Sequence, residues 1–230
     1  SMDNNSENFT PTNFSSAGPT NDFRIKPEIC AAGQGLGAAA WDESNPEATD
    51  TYVVESGTSF SAPGATAAVA LLQQLYRQTH NTFMQGATVK ALLCHTADDI
   101  TTWNTRNENS QPVTVDITGP DVKTGYGAIN LEKAAAIIQK DVEETNTIVT
   151  FSLDQNDTET FYFQGLDAGT LTATLSWYDP HEAENATSTL VNDLDIRIYK
   201  EDTTFFPWKL PTDAQQAVAV LGDNSADNLE

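Results

Sequence analysis

Ser59 is the residue of this chain best placed to act as a nucleophile. It sits in Gly57-Thr58-Ser59-Phe60-Ser61-Ala62-Pro63, directly ahead of a long apolar run. A hydroxyl attacks well only when a base takes its proton and fixed donors receive the charge that develops on the attacked carbonyl. A helix N-terminus supplies such donors, because its first N–H groups have no intrahelical acceptor and its dipole favours negative charge. Acyl transfer is the chemistry this placement suits. The plainer role open to the same residue types is that Ser59 or Ser61 caps the helix with its side chain. The Gly-x-Ser-x-Gly elbow of α/β-hydrolases is not what is here, since the pattern fails at Ser61.

The elements that must position Ser59 lie on either side of it. Pro63 lacks a backbone N–H and has φ fixed near the helical value, so it suits the first turn of a helix from Pro63 to Gln78. The run Ala67 to Leu72, with Ala65 and Leu75, leaves that helix hardly any polar face, which predicts burial on all sides. Further helices are expected over about Ala87 to Asp98 and over Leu131 to Lys140, the latter with Asn130 as its N-cap. Gly125 and Gly127 read as turn glycines. Arg24 to Gly33 reads as a short strand closing on a glycine. Gly33-Gln34-Gly35-Leu36-Gly37 superficially suits a dinucleotide. Pro27 in the preceding strand, and the turn at Trp41 to Pro46 where a helix should run, argue against that use.

Taken whole, Gly57 to Pro63 resembles the serine motif of the subtilisin-like (subtilase) serine proteases, in which the serine of Gly-Thr-Ser is the nucleophile. That position is Ser59 here. Phe14 to Pro19, Lys26 to Ile29 and Ala31 to Gly33 resemble the turn, strand and corner that precede the motif, with Ala32 in place of the usual proline. Phe60 replaces a common methionine, and Gly64 stands where bulkier residues are frequent. Gly125 to Asn130 is similar to the turn before the family's last helix. The resemblance covers about Phe14 to Lys140. It implies an α/β fold with a parallel sheet, a protein or peptide substrate, and chemistry that requires no cofactor.

Subtilases supply a catalytic Asp, His and Ser in that order, with an oxyanion-hole Asn between His and Ser. No histidine precedes Ser59 in this chain; His80, His95 and His181 all follow it. The resemblance therefore implies the C-terminal part of a catalytic domain, with the Asp, His and Asn segments outside this sequence and the chain alone inactive. The competing reading is a non-catalytic pseudoprotease or binding module that keeps the fold.

The remainder of the chain has a different pattern. From Thr145 onward, Ile148 to Leu153, Thr160 to Phe163, Leu171 to Trp177 and Leu190 to Tyr199 alternate with turns, such as the one at Asp167-Ala168-Gly169. This spacing predicts an antiparallel β-sandwich. Leu175 to Pro180, with Leu190 to Ile196, resembles the C-terminal jelly-roll domain of some secreted bacterial subtilases, here short of its final strands. The expected organisation is a polar, frayed segment over 1–13, the partial catalytic domain over 14–142, and the truncated sandwich over 143–230, with Asp141 to Asn146 as linker. A parallel sheet cut short would leave an apolar face open, and self-association is expected to cover it.

Composition narrows the partners. Lys and Arg number 11 against 33 Asp and Glu, a formal charge of −22. Nucleic acid and anionic membrane surfaces need basic patches and are excluded as expected partners. No apolar run is long enough to span a bilayer. Carboxylates on alternate strand positions, Asp193 and Asp195, share one face and could contribute to a structural calcium site, although two are too few to define one. Cys30 and Cys94 read as buried free thiols, with a single bridge as the alternative. Ser1-Met2 resembles a cloning remnant, which leaves room for a removed leader. By the subtilase resemblance, the attached sandwich and acidic balance imply a secreted or cell-envelope location. Sequons at Asn4, Asn8, Asn13, Asn156 and Asn185 are as frequent as chance allows in an Asn- and Thr-rich chain.

Overall fold

A computed structural model describes residues 2–3, 9–106, 112–144, 147–164, 169–182, 190–211 and 218–230. Sequons Asn4, Asn8 and Asn185, the expected turn residues Asp167 and Ala168, most of the N-terminal segment and the end of the linker lie outside the described residues.

Short strands lead into the first helix. β1 (Met2–Asp3) pairs antiparallel with β2 (Thr10–Pro11) and parallel with β3 (Ala32–Gln34), while β4 (Leu36–Ala39) pairs antiparallel with β5 (Tyr52–Glu55). Gly33 to Gly37 therefore run from one strand to the next, and the next helix begins only at Thr58. Among the described residues parallel pairing is confined to β1–β3 and a single Cys30–Ala128 bridge. The other ladders are small and antiparallel. The architecture is thus mixed α/β, without the expected extended parallel sheet among these residues.

α1 (Thr58–His80) opens at Thr58, not at Pro63. The chain reaches helical geometry as soon as Gly57 accepts from Phe60 and Ser61, at 3.1 and 3.3 Å. Pro63 then falls inside the helix and offers no N–H to the Ser59 carbonyl one turn back. The helix ends at Asn81, which adopts the left-handed conformation (φ 57°, ψ 21°) and donates its N–H to the Arg77 carbonyl at 3.0 Å. Burial on all sides does not hold. Ser61, Ala68 and Leu72 are buried, whereas Ala62, Ala67 and Ala70 are exposed and Leu71 is 59% exposed.

α2 (Gly86–Thr96) and α3 (Leu131–Glu143) pack with α1 around Leu72, Met84, Leu92, Leu93, Ala134 and Ile138. Each leucine or isoleucine removed from water there contributes about 1.5–3 kcal/mol. Between α2 and α3 runs the hairpin of β6 (Thr102–Arg106) and β7 (Pro112–Asp116). The turn before α3 is built as its glycines predict. Gly125 (φ 64°) and Gly127 (φ 118°) occupy positive φ, and a Cβ on Gly127 would stand 2.0 Å from the Asp98 carbonyl oxygen. Asn130 caps α3 by accepting the Lys133 N–H at 2.9 Å, also as expected.

The C-terminal residues form β8 (Ile198–Lys200) with β9 (Thr203–Phe205), and β10 (Trp208–Lys209) with β11 (Val220–Leu221), two small antiparallel pairs. Of the four expected strands, only the end of Leu190 to Tyr199 joins a ladder, and Ser176 adds one bridge to Leu229. The described residues do not assemble two packed sheets. Alternation fixes which face a residue would take, but a strand also needs a partner edge. Thr160 to Phe163 joins no ladder among the described residues, and Tyr162 is 93% exposed.

Candidate active site

Ser59 occupies the first turn of α1 and is exposed. Two contacts hold that turn. The Gly57 N–H donates to the Gly33 carbonyl at 2.7 Å, joining the helix entrance to the end of β3. The buried Ser61 hydroxyl donates to the Ala31 carbonyl at 2.7 Å, on the strand side of the same corner. The first intrahelical bonds belong to Phe60 and Ser61, so the N–H groups of Thr58 and Ser59 have no acceptor within the helix. Neither serine caps α1, which has no side-chain cap hydrogen bond at its N-terminus. The Ser61 hydroxyl is spent on Ala31, while that of Ser59 is presented to solvent beside the positive end of the helix dipole.

Gly57 is less special than the motif suggests. Its φ of 162° is extended backbone that any residue adopts, and a Cβ there would make only ordinary contacts, the nearest at 3.7 Å from Phe60. Gly64, about two turns beyond, lines an apolar cleft of about 410 Å3 with Ala31, Ala32, Leu36, Ala68, Ile129 and Leu131. The cleft offers shape and apolar surface beside the helix but no titratable side chain.

The three histidines lie elsewhere. His80 Nε2 is 3.0 Å from Asp141 Oδ2, and its ring stacks on Tyr76 with centroids 4.1 Å apart. Thr79 Oγ1 lies 2.8 Å from His80 Nδ1, but that hydroxyl also meets the Leu75 carbonyl at 3.0 Å, so the Thr-His-Asp series is a helix-end tie and not an activated nucleophile. His95, held neutral by burial that lowers its pKa, meets Thr174 Oγ1 at 2.9 Å through Nδ1. His181 is exposed. Among the described residues no histidine hydrogen-bonds Ser59.

Asp193 is exposed, and Asp195 pairs with Arg197 at 2.8 Å. Among the described residues no three His, Cys, Asp or Glu side chains gather into a cation site. Cys30 and Cys94 are both buried and unbridged, and burial pushes the Cys94 thiol up to about 12. Two buried carboxylates, Asp227 and Glu230, carry no mark in the sequence pattern. In sequence they are members of a polar, acidic stretch, and only tertiary contact distinguishes them.

The serine-bearing turn, the glycine turn and the helix it introduces are parts of a mixed α/β scaffold. The model of the peptidase S8, or subtilase, family matches residues 3–128, and the chain belongs to that family. It is 27% identical over 241 residues to the serine protease/ABC transporter B family protein tagD of Dictyostelium discoideum, a match spanning 84% of this chain and 13% of that protein. The tagA protein of the same organism and description is 28% identical over 220 residues, spanning 83% of this chain and 12% of that protein. The chain thus corresponds to about an eighth of the length of these relatives.

Proposed function

We propose that this chain carries the nucleophile of a subtilisin-like serine endopeptidase, with Ser59 as that nucleophile. The observation behind this reading is the exposed, uncapped Ser59 side chain at the entrance of α1, beside N–H groups with no helical acceptor. Ser59 Oγ attacks the carbonyl carbon of a peptide bond. Its proton passes to an imidazole supplied by a segment outside this sequence, and the Ser59 N–H helps hold the oxyanion. The same imidazole hands the proton to the departing amine, and water then releases the acyl group from Ser59. α1 is scaffold: it fixes the nucleophile through Ser61 and Gly57 without touching substrate. The 143–230 portion is, on this reading, the start of a jelly-roll domain attached to an exported enzyme.

A fluorophosphonate probe, applied to this chain and to the longer natural protein, tests the reading. Labelling at Ser59 in the longer protein, lost in Ser59→Ala and absent from this chain, is expected. No labelling of either protein would leave a pseudoprotease whose surviving role is binding. Labelling of this chain alone would mean that one of its own histidines reaches Ser59.

A further inference from the structure

The β4–β5 hairpin presents its largest apolar side chains to solvent. Its register pairs Gly37 with Val54 and Ala39 with Tyr52, and the period of two puts these four on one face. The opposite face holds Ala38 and Val53, which are half-buried. Tyr52 and Val54 are 74% and 72% exposed. Trp41, just past the Ala40 N–H that donates to the Thr51 carbonyl at 2.9 Å, is 70% exposed. Gly37 and Ala39 oppose them with almost no side chain, and nothing lies within 4 Å of the Cβ position of Gly37. The result is an open shelf of two aromatic rings and a valine. Single exposed apolar residues are ordinary, but several gathered on one short hairpin and rimmed by polar residues mark an interaction surface.

Charge says what this shelf takes. No Lys, Arg or His occurs between residues 27 and 76, and Asp42, Glu43, Glu47, Asp50 and Glu55 all belong to the hairpin and its tip. Turns order that tip. The Ser44 N–H donates to Asp42 Oδ1 at 2.9 Å, the Asn45 N–H to the Asp42 carbonyl at 3.2 Å and the Ala48 N–H to the Asn45 carbonyl at 2.9 Å. The Ser44 hydroxyl and N–H hold the Asp42 carboxyl below its usual range, so it stays ionised. A second copy of this chain, or a nucleic acid, would bring like charge against these carboxylates. Arginine suits both halves of the surface, because its guanidinium lies flat on an aromatic ring and its fork pairs with a carboxylate. The base of the hairpin is fastened to the serine turn: the Gly35 N–H donates to Ser56 Oγ at 2.9 Å, and the Gly57 N–H to the Gly33 carbonyl at 2.7 Å. Tyr52 precedes Ser59 by seven positions. At full extension that is roughly 23 Å, which about seven residues of an extended substrate cover. We propose that the hairpin docks an arginine-bearing segment of the polypeptide that Ser59 cleaves, with guanidinium groups on Trp41 and Tyr52 and the surrounding carboxylates paired to them. The cleavage half of this rests on Ser59 being the nucleophile.

Docking is tested on this chain and cleavage on the longer natural protein, so the two readings fail separately. A fluorescein-labelled peptide of four Arg-Ser repeats, followed by anisotropy, is compared with its lysine and citrulline counterparts. Lysine keeps the charge without the flat guanidinium, and citrulline keeps the shape without the charge. The arginine peptide is expected to bind about tenfold more tightly than the lysine peptide, the factor two exposed aromatic contacts supply. The citrulline peptide should bind more weakly than either. Trp41→Ala with Tyr52→Ala should bring the arginine and lysine peptides level, and Glu43→Gln with Asp50→Asn should weaken both. Equal affinities for the unsubstituted chain, or an arginine preference that survives the loss of both rings, would overturn the proposal. In the longer protein, an Ala-Ala-Phe-Ala-Ala peptide flanked on both sides by the arginine repeat should show about tenfold higher kcat/KM than one flanked by the lysine repeat. Trp41→Ala with Tyr52→Ala should remove that difference. Equal rates, or no Ser59-dependent hydrolysis by a protein whose Ser59 takes the fluorophosphonate probe, would overturn the substrate role. A longer protein that takes no probe ends the nucleophile reading instead, and anisotropy alone then decides the docking surface.

Discussion

The carboxylate of Asp227 accepts the backbone N–H of Ile25 at 3.1 and 3.3 Å, across 202 positions of sequence. The residues beside it continue the seam. Lys90 Nζ donates to Asn228 Oδ1 at 2.6 Å, Asn228 Nδ2 donates to the Trp177 carbonyl at 2.9 Å, and Leu175 and Glu230 exchange backbone hydrogen bonds at 2.6 and 2.8 Å. A short polar segment thereby ties the loop that carries Ile25, the second helix and the C-terminal portion together. Its polarity in sequence conceals a structural role that depends on burial.

That seam titrates. Burial raises the Asp227 carboxyl to about 6 and the Glu230 carboxyl to about 7, both above their usual values. The folded chain therefore binds these protons more tightly than the unfolded chain does. Their stabilising contribution is fully present below about pH 4, the ordinary carboxylate range, and is lost as pH rises through 6 and 7. Thermal unfolding between pH 4.5 and 8 should show the melting temperature falling over that window, and Asp227→Asn with Glu230→Gln should flatten the slope. The net charge of −22 adds a background slope of the same sign, so the difference between the two proteins is the quantity to read. Parallel curves would refute the assignment.

His80 and Asp141 join the end of α1 to α3, and the two partners are not equivalent. His80 reaches α3 through one contact, at 3.0 Å, its Thr79 and Tyr76 contacts lying within α1, whereas Asp141 also accepts the Ile148 N–H at 2.7 Å and so fixes a residue that packs on the main core. His80→Ala is expected to cost about 1 kcal/mol and Asp141→Ala about 2–3 kcal/mol, because the second leaves a part-buried N–H unpaired. Urea denaturation of both variants and the double variant measures the coupling. Equal losses from the two single changes would contradict this account.

The local signals were legible in the sequence and the long-range ones were not. Asn130 caps its helix and Gly125 and Gly127 make their turn because each depends only on near neighbours. Pro63 marks the start of α1 about one turn too late: it is compatible with helix, but the helix begins where Gly57 first accepts, which Pro63 does not control. The same helix looked buried because its apolar residues run all round it. Periodicity records what a surface prefers to touch, and Leu71 shows that the preferred surface need not be present among these residues. At the site, the residue types identified Ser59 but could not assign the Ser61 hydroxyl to the Ala31 carbonyl, a contact 30 positions apart.

Gly127 is the glycine whose replacement should hurt most. Its φ of +118° is a conformation that side chains avoid, and a Cβ would meet the Asp98 backbone, at 2.0 Å from the oxygen and 2.5 Å from the carbon, with no flexible group to move aside. Asp98 and Ala128 exchange backbone hydrogen bonds at that point, so relief would break the bridge. Gly127→Ala should cost at least about 3 kcal/mol. Gly37→Ala is the control, since nothing lies within 4 Å of its Cβ position, and should stay within about 0.5 kcal/mol. Chemical denaturation of the two variants decides; a mild Gly127→Ala would mean that the turn can be rebuilt.

The open face of α1 should show itself in solution. If the chain is part of a larger catalytic domain, as proposed, Ala67, Ala70 and Leu71 belong against the remainder of that domain, and in its absence a second copy is the available cover. Copies carrying a charge of −22 each repel one another. At about 0.1 M salt the Debye length is about 10 Å, so added salt removes most of the repulsion while leaving the apolar attraction intact. Light scattering should therefore report a mass that rises with both protein and salt concentration, and Leu71→Lys should restore the monomer. Leu71 is 59% exposed and is not among the buried residues of the main cluster, so this substitution should leave the melting temperature of the monomer close to unchanged. A monomer at every concentration and salt level would show that the face is satisfied by water alone.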